Sequence, residues 1–116
     1  MSSDDLARHA ALRLGNELDH NLPAILEAQI QAGDTTPKRF EPGTTIALAS
    51  LILTAAKFAW DIYRDIKKDA KAVPTPDVIA RRIRLQLDVA QDGNAARRDK
   101  VIAVVVDELL QRPPTT

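Results

Sequence analysis

The sequence contains no cysteine, which rules out disulfides and thiolate metal ligands and makes a reducing compartment, the cytoplasm, the expected one. Aromatic residues are scarce, with two Phe, one Trp and one Tyr, so there is no platform on which nucleic-acid bases could stack. Charge of one sign is missing as well. Sixteen basic and sixteen acidic residues cancel, leaving no global field to draw the chain to nucleic acid or to an anionic membrane. With four glycines there is no Gly-x-Gly-x-x-Gly, no P-loop, and no metalloprotease helix motif. The longest uncharged run, from Pro42 to Ala56, stops at Lys57, short of the ~20 apolar residues a membrane-spanning helix needs. The first residues, MSSDDLARHA, carry acids where a signal peptide needs basic charge, so secretion is not expected.

What is present is aliphatic. Hydrophobic residues make up 45% of 116, enough for one modest core in one domain spanning residues 1–116. The expected organisation is an N-terminal helical segment over 1–33, a loop over 34–43, a central helix over 44–68, a C-terminal helical pair over 75–112 and a tail over 113–116.

The central segment organises the rest. At about 100° per residue, Ser50, Thr54, Lys57, Asp61, Arg64, Asp65 and Lys68 fall in one narrow polar stripe. Ile46, Leu48, Leu51, Ile52, Leu53, Phe58, Trp60, Ile62, Tyr63 and Ile66 cover the remaining circumference, so this helix requires partners on more than one side.

Before it, Ser3 followed by Asp4 and Asp5 reads as a helix cap with acids in the first turn. Ala7, Ala10, Ala11, Leu14, Leu18, Leu22 and Ile25 continue one apolar face at helical spacing. Pro23 interrupts it, which predicts two helices, Asp4 to His20 and Pro23 to Gln31. Gly33 is the expected stop, and Phe40 is expected to fold back from its loop onto the core.

After it, Thr75, Pro76 and Asp77 form a helix start: a capping hydroxyl, a proline at the first helical position and an acid behind it. The segment from Val78 to Val89 admits two readings. Val78, Ile79 and Ile83 fit a helix, yet Ile83, Leu85, Leu87 and Val89 alternate with polar residues as in a strand. Asp92, Gly93 and Asn94 mark a turn. The β-branched run at 101–106 is also strand-like, although Val101, Ile102, Val105, Val106 and Leu109 share one face of a helix over Ala95 to Gln111. On that helix Glu108 lies among the polar residues, and Val104 stands with them as a stray surface residue or a contact with another chain. The expected fold is therefore mainly α, a small bundle of four to five helices around a central hydrophobic one. The alternative is α+β with a strand pair near 82–89 and 100–106.

Candidates for chemistry are few. Glu17 and His20 form a Glu-x-x-His pair, but dimetal bundle sites need a second copy and two further glutamates. Ser50 has no histidine near it in sequence. No catalytic, cofactor-binding or metal-binding residues are therefore expected, and no cofactor. Arg81, Arg82, Arg84, Arg97, Arg98 and Lys100 would line a DNA surface if the last two segments formed a helix-turn-helix, but Asp88, Asp92, Asp99, Asp107 and Glu108 interleave with them.

The remaining signal is surplus apolar surface on the central helix, where alanines 47, 49, 55, 56 and 59 permit close approach. Leu48, Ile52, Ala55, Ala59, Trp60, Tyr63 and Val104 are the candidate contact residues for a second copy or a larger protein. The competing expectation is that the chain's other segments cover them. Residues 1–41 hold seven acids against four bases and the remainder nine against twelve, a polarity that fits head-to-tail or partner contacts.

TTIALASLILTAAKFAWDIYRDIKK, TPDVIARRIRLQL and RDKVIAVVVDELL together resemble small accessory domains of bacterial signalling and defence proteins, over residues 44–112. The resemblance implies an adaptor role in assembly and transfers no catalytic residue. The expected function is thus a non-enzymatic, self-associating interaction module. The alternatives are a membrane-associated protein using 44–66 and a DNA-binding regulator.

Overall fold

The computed structural model describes residues 3–18, 20–32, 45–68, 74–86 and 95–111, with the side chains at 32, 45–47, 95 and 97 excepted. The expectations for Gly33, the 34–43 loop with Phe40, the turn at 92–94 and the 113–116 tail lie outside the described residues. Five helices form: α1 (Ser3–Glu17), α2 (Leu22–Ala32), α3 (Thr45–Lys67), α4 (Pro76–Gln86) and α5 (Ala95–Gln111).

The break at Pro23 produces a helical hairpin. α1 ends at Glu17, with one further bond from the Leu18 amide to the Leu14 carbonyl at 2.7 Å, and α2 restarts with Pro23 in its first turn. The two helices run antiparallel, because Arg8 meets Glu27 at one end and Gly15 meets Pro23 at the other. Gly15 is required by that second contact: a Cβ there would stand 2.9 Å from Pro23 Cδ and 3.1 Å from its Cγ. Leu18, expected on the buried face, is instead exposed, since it follows the last helical residue and leaves the seam.

α3 touches all four other helices, as its broad apolar arc requires. Leu48, Ala49, Ile52, Ala55, Ala56, Ala59, Ile62, Tyr63 and Ile66 are buried, and Leu51, Leu53, Phe58 and Trp60 are half-buried along the two margins of that face. The stripe from Thr54 to Lys68 is exposed, and Ser50 is half-buried. One hydrophobic core takes side chains from all five helices.

The strand alternative is corrected by α4 and α5, because 82–86 and 100–106 are helical and the described residues contain no strand. For α4 the local start prevails: the Val78 amide donates to Thr75 Oγ1 at 3.3 Å and the Ile79 amide to the Thr75 carbonyl at 3.1 Å. Burial of Ile79 and Ile83, one turn apart, then seats the helix. For α5 the reason is packing. Placing β-branched residues in a helix costs roughly 0.5 kcal/mol each, whereas burying a Val or Ile side chain is worth about 1.5–3 kcal/mol. Val101, Ile102, Val104, Val105 and Val106 are all buried, so the helix wins.

Candidate interaction surfaces

Six of the seven expected contact residues lie inside the chain: Leu48, Ile52, Ala55, Ala59, Tyr63 and Val104 are buried, and Trp60 is half-buried. The alanines of α3 serve internal packing, with Ala49, Ala55, Ala56 and Ala59 fully buried. Val104, expected on the polar side of α5, is 8% exposed, and Glu108 beside it is equally buried. The cause is the number of neighbours. α5 packs against α1, α3 and α4, and three partners cover a wider arc than the single face that helical periodicity marks.

The polar edges of these helices are tied to one another. Arg8 donates through Nε and Nη2 to Glu27 at 2.7 and 3.2 Å and through Nη1 to Asp5 at 2.8 Å, joining α1 to α2. Gln31 also donates to Glu27 at 2.9 Å. Arg13 Nη1 donates to Asp107 at 2.6 Å and Glu108 at 3.2 Å, and Lys100 lies 2.6 Å from Glu17, so α1 and α5 run antiparallel with ion pairs along their seam. Arg82 meets Asp65 at 3.5 Å between α4 and α3, and Arg84 meets Asp99 at 3.4 Å between α4 and α5. Arg98 reaches the same Asp99 oxygen. These pairs are mostly solvent-exposed, where water and salt screen them, so they set register more than stability. The Lys100 ammonium and the Arg8 guanidinium lower the carboxyl pKa values of Glu17 and Glu27, respectively, chiefly through hydrogen bonding.

Among the described residues, Leu12, Leu18, Val78 and Leu85 are the large hydrophobic side chains left exposed, Leu18 just past the end of α1. On α4, Val78, Arg81, Arg82 and Leu85 recur at i, i+3, i+4 and i+7 and form an outward stripe opposite Ile79 and Ile83. Leu85 is 80% exposed and Val78 41%. On α1, Leu12 is 57% exposed, one turn from Arg8 and its two carboxylates. Sequence reasoning passed over Leu85 because the alternating pattern grouped it with Ile83; a helical wheel alone sets the two about 200° apart. Between α3 and α4 lies an open groove of about 520 Å³ lined by Asp61, Asp65, Arg64, Lys68, Arg82 and Gln86 among others.

The residues considered for chemistry are dispersed. α1 stops at Glu17, so His20 lies beyond its end, exposed, and Glu17 is engaged by Lys100. Among the described residues no three His, Asp or Glu side chains gather as metal ligands. Ser50 Oγ donates to Gln29 Oε1 at 3.1 Å, tying α3 to α2. Among the described residues no helix is long and apolar enough to cross a membrane. Compared with known proteins, the chain has no significant match to a protein family, a curated protein or a solved structure.

Proposed function

We propose that this chain is a non-enzymatic interaction module that associates with copies of itself. The observation that carries the reading is the outward stripe of α4. In a bundle whose large aliphatic side chains are otherwise mostly covered, Val78 and Leu85 stand in solvent on one face with Arg81 and Arg82 between them. A rigid helix presenting two apolar side chains and two cations is a recognition surface, and it holds no nucleophile, base or enclosed cavity. The resemblance of residues 44–112 to bacterial accessory domains adds a setting, an adaptor in a signalling or defence assembly.

Relative to the expectation from sequence, the contact moves from α3 and Val104, which the chain covers itself, to side chains that remain outside. A DNA-binding role is the weaker reading. Arg82, Arg84, Arg98 and Lys100 are each engaged by Asp65, Asp99 or Glu17, so contacting phosphates would first break these pairs. The test is multi-angle light scattering over a wide concentration range, with and without mild detergent. Self-association gives a mass that rises above 12.7 kDa and ignores detergent. A constant monomer mass at every concentration refutes it.

A further inference from the structure

Resting on the self-association reading, we infer that the copies join head to tail, the outward stripe of α4 in one copy seating on the outer face of α1 in the next. Charge decides the pairing. α4 holds three arginines against one acid, Asp77, whereas α1 and α2 together hold four acids against two bases. On α1, Arg8 and Arg13 flank Leu12 in sequence, and each guanidinium is shared between two carboxylates, Asp5 and Glu27 for Arg8 and Asp107 and Glu108 for Arg13, so acids outnumber bases along this edge. Arg81, in the middle of the α4 stripe, has no ion pair among the described residues.

A two-fold contact of α4 with its own copy would set the unpaired Arg81 against a second Arg81, which desolvation makes costly. Pairing α4 with α1 instead brings Val78 and Leu85 onto Leu12 and Arg81 onto carboxylates. The two surfaces belong to different sides of the bundle, since α1 packs on α2, α3 and α5 while α4 packs on α3 and α5. The same copy can therefore use both at once. Such a contact continues from copy to copy, as a ring or an open filament, instead of stopping at two.

The test uses two variants of the full chain, Leu12→Gln and the double change Val78→Gln with Leu85→Gln. All three side chains are more than 40% exposed, and circular dichroism checks that the fold persists. Head-to-tail joining predicts that wild-type mass grows past twice 12.7 kDa with concentration. Each variant alone stays monomeric, and an equimolar mixture of the two forms a species of twice the monomer mass and no larger, because only one good contact remains. If the Leu12 variant still associates alone, or the α4 variant does, the head-to-tail contact is overturned while self-association stands. A wild-type chain that is monomeric throughout overturns both.

Discussion

Replacing Gly15 with alanine reads out the α1–α2 contact directly, because two effects of opposite sign compete at one atom. In a helix interior, alanine is favoured over glycine by about 0.8–1.0 kcal/mol. Here the added methyl would stand 2.9 Å from Pro23 Cδ and 3.1 Å from Cγ, closer than carbon atoms pack, and the neighbour is a closed ring on a helix that cannot swing aside as a flexible side chain could. Overpacking of this kind costs about 1–3 kcal/mol. The net effect is a loss of up to about 2 kcal/mol, substantial against a total stability of about 5–15 kcal/mol for a domain of this size.

The clean measurement is a double-mutant cycle by urea denaturation, followed by far-UV circular dichroism, with Pro23→Ala as the second change. With the ring gone, Gly15→Ala should become stabilising by about the helix-propensity difference. The coupling between the two positions is then about 1–3 kcal/mol, the clash itself. If Gly15→Ala stabilises the chain in the presence of Pro23, or if Pro23→Ala does not change its effect, the close approach of the two helices is not what Gly15 provides.

A second expectation concerns α5. Val104→Asp buries a carboxylate beside the buried Glu108 and should destabilise by about 4 kcal/mol or more, whereas Ala103→Asp, exposed one residue away, should cost only about 1–1.5 kcal/mol, from helix propensity and the like charges of Asp99 and Asp107; equal losses of stability in urea for the two would refute the burial of Val104. A third concerns acid. Glu17 and Glu27 have folded-state pKa values below the unfolded carboxylate value of about 4.3, so their contribution is present above that pH and disappears as pH falls through the lower folded value. Glu17→Gln with Glu27→Gln should therefore give a chain whose stability falls less steeply on acidification than that of the wild type, with melting temperature against pH as the readout.

Much of the architecture is written locally. The polar stripe of α3, the restart at Pro23 and the Thr75 cap of α4 each depend on residues within a turn or two of one another, and each is found where the sequence places it. The same local logic mislocated Val104 and Glu108, since a wheel that assigns one polar side presumes one buried side. It also placed the candidate contact on the largest apolar arc, although that arc is the one the chain covers first. The described large hydrophobic residues left outside, Leu12, Leu18, Val78 and Leu85, are individually ordinary in sequence, and their significance comes only from what the neighbouring helices leave uncovered.

The sequence by itself determined that the chain is mainly helical, that it breaks at Pro23, that α4 starts at the Thr75 cap and which edge of α3 meets water, because periodicity, proline geometry and capping act over a few residues; it left 82–89 and 100–106 open between helix and strand. Only the tertiary structure decided which apolar residues enter the core, that Gly15 must admit the ring of Pro23, and that α5 is buried over a wide arc. Those outcomes depend on how many helices surround each one and from which sides. That is a property of the packed assembly, formed between residues up to 95 positions apart, as Arg13 and Glu108 are.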